Sequence, residues 1–331
     1  MHRHLKLAVA SLLALAASPL AAQQPGQSSA VYTFACDRDC LIGKLGEYMD
    51  ALADRSPSAV PAAPDIVFTE NNVVLALGEG IWGTVTGVDD VGLEVADPQT
   101  GNAAWFGSVM ENGRQRMFGL RIRVTDGEID QAETIVVRSM DLTRPSRPAV
   151  QLQHDPAFYE VLPPAERRSR ERLQRIADAY FDTVELNDGL VFAPFDEDCG
   201  RLENGRSTTS KADPNGSFGA VSIVEGCEAQ FELGIYRINK RVRERRYPLI
   251  DTERGIVVAT AFFDHANEFD RYLLTDGREM ETALKWPNSV TLLEAFRIRD
   301  AKIHRIEAVF TYAPYFMHNP FAGLAAPMPQ H

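Results

Sequence analysis

The sequence predicts an α+β protein built as two tandem copies of one domain, and three observations carry that reading. Two stretches match in order. Arg123-Val124-Thr125-Asp126-Gly127-Glu128-Ile129 precedes Ala132-Glu133-Thr134-Ile135-Val136, and Arg297-Ile298-Arg299-Asp300-Ala301-Lys302-Ile303 precedes Ile306-Glu307-Ala308-Val309-Phe310. Each reads as a strand, a turn at Asp, and a second strand with a Glu before its apolar run. Upstream of each lies a helical segment, Tyr48-Met49-Asp50-Ala51-Leu52 or Tyr180-Phe181-Asp182-Thr183-Val184, and then a Glu-Asn pair, Glu70-Asn71 or Glu203-Asn204. The chain of 331 residues also suits two domains of ordinary size. A helix followed by a meander of strands is the pattern of an antiparallel sheet with a helix packed on it.

The elements follow in chain order. His2, Arg3, His4 and Lys6 form a basic start, Leu7 to Leu15 is apolar, and Ser18-Pro19-Leu20-Ala21-Ala22 offers small residues for cleavage. Residues 1–22 therefore read as a secretory signal peptide, with an apolar stretch too short to cross a bilayer. A soluble, secreted or periplasmic protein is expected. The first domain is assigned to residues 36–143. From Cys40 to Leu52, apolar residues at Leu41, Leu45, Met49 and Leu52 keep a helical period, which Pro57 and the run Pro61 to Pro64 break. Strands are expected at Ile66 to Thr69, Val73 to Leu77, Ala103 to Val109, Gln115 to Val124 and Glu133 to Val137.

A linker over residues 144–164 is bracketed by Arg144-Pro145-Ser146-Arg147-Pro148 and Leu162-Pro163-Pro164. The second domain, 165–316, opens with a helix over Ala165 to Val184, amphipathic through Leu173, Ile176, Ala177, Tyr180 and Phe181. Its strands are expected at Gly255 to Phe263, Val290 to Arg299 and Ile306 to Ala313, with an excursion over the sheet at Asn267 to Trp286. Residues 317–331 read as a tail rich in Pro and Ala.

Composition excludes some partners. The net charge is −12, so the chain repels phosphate backbones and anionic lipid surfaces, and neither nucleic acid nor membrane is expected to bind. The basic run Lys240 to Arg246 is interrupted by Val242 and Glu244 and suits the solvated face of a strand. Export implies an oxidising compartment and disulfides. Pairing within each half, Cys36–Cys40 and Cys199–Cys227, requires the least chain rearrangement, although spacing leaves the other connectivities open. No His pair stands at ligand spacing beside either Cys pair, so no metal is expected. There is no Gly-x-Ser-x-Gly elbow, phosphate loop or dinucleotide fingerprint, and no cofactor is expected.

The order of opening helix, Glu-Asn segment, Gly-rich turn and closing strand pair resembles the nuclear transport factor 2-like superfamily, which includes the SnoaL-like polyketide cyclases and the ketosteroid isomerases. In the first copy the resemblance rests on Phe68-Thr69-Glu70-Asn71, on Leu77-Gly78-Glu79-Gly80-Ile81-Trp82 and on the pair from Ile122 to Val136. In the second it rests on Cys199-Gly200-Arg201-Leu202-Glu203-Asn204-Gly205, on Asp251 to Val257 and on Phe296 to Phe310. The whole chain is similar to exported, uncharacterised SnoaL-like proteins with the same doubling. The resemblance implies two cone-like domains, each with helices packed on a curved antiparallel sheet around an apolar pocket. It also implies self-association through the sheets, for which the tandem copy could stand in.

A carboxylate in such a pocket has its pKa raised by desolvation and can exchange protons near neutral pH. Glu70 and Glu203 follow helices that carry Tyr48 and Tyr180, but Asn after each Glu departs from the pattern of an isomerase base. Because the pair appears in both halves, a structural role for it is favoured. The second half is richer in titratable residues, with Asp251, Asp264, His265, Glu294, His304 and Glu307 on or beside strands. His265 follows Asp264 directly, so on a strand only one of the two enters a pocket. His265, Glu203, Tyr180, Asp264 and Asp251 are the candidate catalytic residues, and Arg245, Arg246 and Trp82 the candidate substrate-binding ones. The expected activity is that of a cofactor-independent lyase, isomerase or cyclase acting on a small apolar or aromatic molecule. A non-catalytic ligand-binding or interaction protein is the alternative.

Overall fold

The computed structural model describes residues 36–138, 152–209, 217–218, 221–222, 226–282 and 284–323. The signal peptide read in residues 1–22, the start of the linker and the end of the tail lie outside them.

Helix α1 (Arg38–Ala53) buries Leu41, Leu45, Tyr48, Met49 and Leu52 along one face. Asp37 caps it, its carboxylate accepting from the Cys40 amide at 3.0 Å, and the Cys36–Cys40 disulfide closes the same turn. Strands β1 (Ala62–Glu70) and β2 (Val73–Leu75), the short helix α2 (Ile81–Thr84), and strands β3 (Val85–Asp97), β4 (Asn102–Glu111), β5 (Arg114–Thr125) and β6 (Glu128–Val136) complete the first lobe.

Helix α3 (Arg170–Leu186) opens the second lobe with Ser169 as its cap, later than expected because Pro163 and Pro164 hold the preceding turn. There follow β7 (Phe195–Glu203), β8 (Arg206–Ser207), the two-residue strands β9 (Ser217–Phe218) and β10 (Val221–Ser222), α4 (Cys227–Glu232), β11 (Arg241–Asp251) and β12 (Ile256–His265). The hairpin β13 (Arg271–Leu273) and β14 (Glu279–Glu281) comes next, then β15 (Asn288–Arg299) and β16 (Lys302–Ala313). This hairpin is the excursion expected at Asn267 to Trp286. Its counterpart between β4 and β5 is only the turn at Asn112-Gly113.

Among the described residues each lobe carries a six-stranded sheet, ordered β2-β1-β6-β5-β4-β3 in the first and β8-β7-β16-β15-β12-β11 in the second. The two orders are the same, so the repeat extends to topology. The antiparallel expectation needs one correction. The strand after each opening helix lies beside the last strand of its lobe, and β1–β6 and β7–β16 are parallel. Each sheet is therefore mixed. The long excursion between first and last strands allows that arrangement, which a meander of hairpins does not.

One face of each sheet is covered by its helix, and the two other faces pack on each other. That interface buries Phe106, Met117 and Ile135 of the first lobe with Leu249, Leu293 and Val309 of the second, and Leu152 and Phe158 of the connecting segment. Gly119 permits the close approach, because a Cβ there would meet Leu293 Cδ2 at 3.2 Å and Val309 Cβ at 3.4 Å. Ion pairs between half-buried arginines and buried carboxylates stitch the lobes: Arg38 with Asp251 at 2.8 Å, Arg246 with Glu133 at 2.6 Å and Arg170 with Asp97 at 2.7 Å. The duplicated Glu133 and Glu307 both point into this region. Glu133 also meets Arg121 at 3.0 Å, and Glu307 accepts from the Asp155 amide at 3.3 Å.

Both disulfides form within their own halves, Cys36–Cys40 and Cys199–Cys227. No helix of the described residues is long and apolar enough to cross a membrane.

Candidate functional site

The Glu-Asn pairs separate into a shared part and a divergent part. Asn71 adopts φ 50° and Asn204 φ 48°, the left-handed region that Asn tolerates better than most residues. Asn71 accepts from the Val136 amide at 2.8 Å and donates to the Val136 carbonyl at 3.1 Å. Asn204 does the same to Phe310 at 2.9 and 3.0 Å. In both lobes Asn therefore clamps the end of the first strand to the last. The glutamates differ. Glu70 accepts from the Ile81 amide at 2.6 Å, capping α2 where Gly80 lets the chain pass close, and it pairs with Arg138 at 2.5 Å. Glu203 instead faces a cavity.

That cavity, of about 230 Å³, lies between α3, the sheet of the second lobe and the β13–β14 hairpin. Its walls include Val184, Ile238, Phe263, Met280, Leu292 and Phe310. Its polar groups are Tyr180, Glu203, Tyr236, Asn239, His265, Glu281, Thr282, Glu294 and Tyr312. The centre of this polar set is Glu294. It is 2 % exposed, and burial, followed by the charge of Glu203, raises its carboxyl to about 8. Tyr180 hydrogen-bonds to it, and among the described residues Oε2 has no hydrogen-bond partner. A carboxyl in this state can lose or gain a proton near neutral pH.

Sheet register explains why these groups meet. Glu203 pairs with Ala308, and Ala308 with Glu294, so the three share one row and one face. The small Ala308 side chain leaves room between the two carboxyls. Arg201, two residues before Glu203 on the same face, holds that carboxylate at 3.2 Å and donates to the Tyr236 hydroxyl. Its guanidinium stacks on Phe231 and Tyr236, 5.2 and 5.0 Å from the ring centroids. Burial works to lower the Arg201 pKa, but Tyr236 and Glu203 outweigh it and the net direction is up, so the side chain stays charged. Phe231 is carried by α4, which the Cys199–Cys227 disulfide ties to β7. Tyr180 and Tyr236 are both pushed up by burial and remain neutral hydroxyls. His265 is pushed down by burial, with its Nδ1 at 3.1 Å from Asn288 Oδ1.

The structure thus brings His265, Glu203 and Tyr180 to one cavity and leaves the other candidates outside it. Asp264 points to the opposite face of β12 and is held below the ordinary carboxylate range. Burial opposes this, but Arg243 at 2.8 Å, Ser289 at 2.6 Å and Arg241 at 2.7 Å prevail. Asp251 is taken by Arg38 in the lobe interface. Arg245 grips Asp178, Asp182 and Glu185 on α3, and Arg246 reaches Glu133. Within the basic run Arg243, Arg245 and Arg246 are therefore largely buried in ion pairs, while Lys240 stays exposed to solvent. Trp82 packs edge-on against Tyr48, 5.3 Å away in the interior of the first lobe. Glu294 belongs to the site, and among the sequence signals only its place on a strand in the titratable-rich half pointed to it.

Among the described residues the first lobe has no equivalent polar centre. Its matching row runs Glu70, Thr134, Leu120 and Trp105, where the second lobe has Glu203, Ala308, Glu294 and Ala259. Phe68 stands at the position of Arg201. Leu120, Trp105 and Phe68 fill that interior as part of its core.

Residues 166–310 match the model of a family described as a domain of unknown function (DUF8021). No curated protein matches the chain. Solved structures similar to it include an NTF2-like protein of unknown function from Cytophaga hutchinsonii, 13 % identical, covering 29 % of this chain and 88 % of that one at a TM-score of 0.25. A steroid delta-isomerase from Pseudomonas aeruginosa is 20 % identical, covering 32 % of this chain and 85 % of that one, also at 0.25. A phenazine biosynthesis-related protein from the same organism is 12 % identical, covering 49 % of this chain and 90 % of that one at 0.25. The names carried by the solved structures similar to this chain include those of the superfamily its sequence resembles.

Proposed function

We propose that this is an exported protein whose second lobe binds a small apolar or aromatic molecule and moves a proton on it without a cofactor, as a lyase, isomerase or cyclase does. The observation that carries the reading is Glu294, a buried carboxyl raised to about 8 that lines an apolar cavity. In the proposed reaction its carboxylate takes a proton from the ligand and its acid form returns one to a neighbouring atom. Tyr180, which donates to Glu294, orients the carboxyl, while burial and then the charge of Glu203 keep its proton affinity high. The neutral imidazole of His265 is the second group able to exchange a proton at the cavity wall. The cavity is small beside the roughly 300–1,000 Å³ of drug-sized ligand sites, which suits a ligand of one or two rings. The two disulfides support the exported setting.

The test is exchange of carbon-bound hydrogen in D2O, followed by NMR over a panel of small enolisable ketones and aromatic ketones. Catalysed exchange that falls about 100-fold or more in Glu294→Gln is expected, the usual contribution of a positioned acid–base group. Exchange untouched by that substitution removes Glu294 from the mechanism.

A further inference from the structure

We propose that the ligand of the second-lobe cavity is an organic cation, a protonated amine or quaternary ammonium carried on a small apolar body. The proposal rests on the reading of this cavity as a ligand site and names the class of molecule it takes. Three carboxyl residues, Glu203, Glu281 and Glu294, line the cavity, and none of its described lining residues is Lys or Arg. Five aromatic residues line it as well, Tyr180, Tyr236, Phe263, Phe310 and Tyr312. Aromatic faces attract a cation electrostatically, most strongly where water is excluded. Glu294 supplies the partner charge. Its unpartnered Oε2 is buried, and an ammonium N–H or a methyl group of a quaternary nitrogen set against it would satisfy an otherwise costly atom.

The groups facing Glu294 set the sign of the pH response. They are Glu203 and Arg201 from β7, Tyr180 from α3 and Tyr236 from the segment after α4, while His265 of β12, Glu281 of β14 and Tyr312 of β16 line the same cavity farther along it. Arg201 is fully buried and meets Glu203 at 3.2 Å and the Tyr236 hydroxyl through Nη2, so its charge is offset by Glu203, and Glu281 pairs with Lys285 at 2.9 Å. His265 is pushed toward its neutral form and adds no opposing charge at neutral pH. A cation entering below about pH 8 therefore displaces the proton of Glu294, and above that pH it meets a ready-made carboxylate. Affinity for a permanently charged ligand must rise with pH across this window.

The experiment is calorimetric titration of the purified full chain with benzyltrimethylammonium, benzyl alcohol and benzoate at pH 6.5 and pH 9, in buffers of different ionisation enthalpy. The cation is expected to bind about tenfold or more tightly than the alcohol at pH 9, with a smaller margin and measurable proton release at pH 6.5. Benzoate is expected to bind weakest. In Glu294→Gln, with the fold checked by its melting transition, the margin at pH 9 falls to that at pH 6.5. The proton release needs no variant, so the test survives a Glu294→Gln chain that does not fold. Benzyl alcohol binding as tightly as the cation at pH 9 overturns the cation inference and leaves the ligand site standing. Failure of all three probes to bind overturns the ligand-site reading and this inference with it.

Discussion

Glu203 and Glu294 stand in one row of the second sheet with only Ala308 between them, and their carboxyls share the interior of that lobe. Burial, and then the charge of Glu203, raise the Glu294 carboxyl to about 8, while Arg201 pairs with Glu203 at 3.2 Å. The same row in the first lobe holds Leu120 and Trp105, whose bulk replaces both the acid and the space around it.

Glu294 should weaken the protein as pH rises. The unfolded chain ionises this carboxyl in the ordinary range near 4.5, whereas the folded state holds its proton to about 8. The stability contributed is full below that window and falls through it, by at most roughly 1.4 kcal/mol per pH unit. Urea unfolding at pH 5 and pH 9 is expected to show Glu294→Gln gaining on the wild type at the higher pH. Parallel pH profiles for the two proteins would mean that Glu294 titrates normally.

Glu133 has the opposite sign. Burial works to raise it, but Arg246 and Arg121 prevail and lower it to about 2. Its contribution is present above the ordinary carboxyl range and is lost as pH falls through about 2. Glu133→Ala leaves two arginines without their buried partner, a loss of about 3–5 kcal/mol. A fall in melting temperature no larger than that of an exposed Glu→Ala control would contradict this account of the lobe interface.

The two Asn clamps should be equivalent. Asn71→Ala and Asn204→Ala each remove two hydrogen bonds and put Ala in a left-handed conformation. Each is expected to cost about 3–4 kcal/mol, summed from two hydrogen bonds near 1 kcal/mol each and a backbone term of 1–2. The unfolding free energies of the two variants should agree within about 1 kcal/mol by the same reckoning. A large disparity would mean that one clamp does something beyond holding strands.

Ala308→Leu tests whether the space is used. The added side chain points into the cavity between Glu203 and Glu294, so probe binding is expected to disappear while overpacking costs about 1–3 kcal/mol. Unchanged affinity for the benzyl probes would place their binding elsewhere.

The Cys199–Cys227 bridge closes a 28-residue separation and holds α4 on β7. Its removal by Cys199→Ser with Cys227→Ser is expected to cost about 3–4 kcal/mol through the entropy of the unfolded chain. It should also loosen Phe231 from Arg201. A reductant should lower the melting temperature of the wild type by more than that of the double variant, which keeps only the Cys36–Cys40 bridge.

Much of the architecture was legible because it depends on local pattern. The spacing of Leu41, Leu45, Met49 and Leu52 specifies a helix with one buried face, and the cysteine positions suit pairing within each half. The matched Arg-turn-Glu segments mark two copies of one sheet. The parallel joins of β1 with β6 and β7 with β16 were not legible, since hydrogen-bond partners far apart in sequence leave no periodic trace. Side-chain alternation indicated that Asp264 and His265 face opposite ways, but not which face encloses a cavity.

Local patterns along the chain establish a doubled α+β architecture, its opening helices, and the recurring Glu-Asn pairs. That Glu294 sits beside Glu203, that Arg246 and Asp251 serve the lobe interface, and that the first-lobe interior is filled are consequences of packing. The reason is physical. A site of this kind is made by residues of β7, β15, β12, α3 and the segment after α4, and their convergence follows from sheet register and packing. Neither is a property of any one segment of the chain.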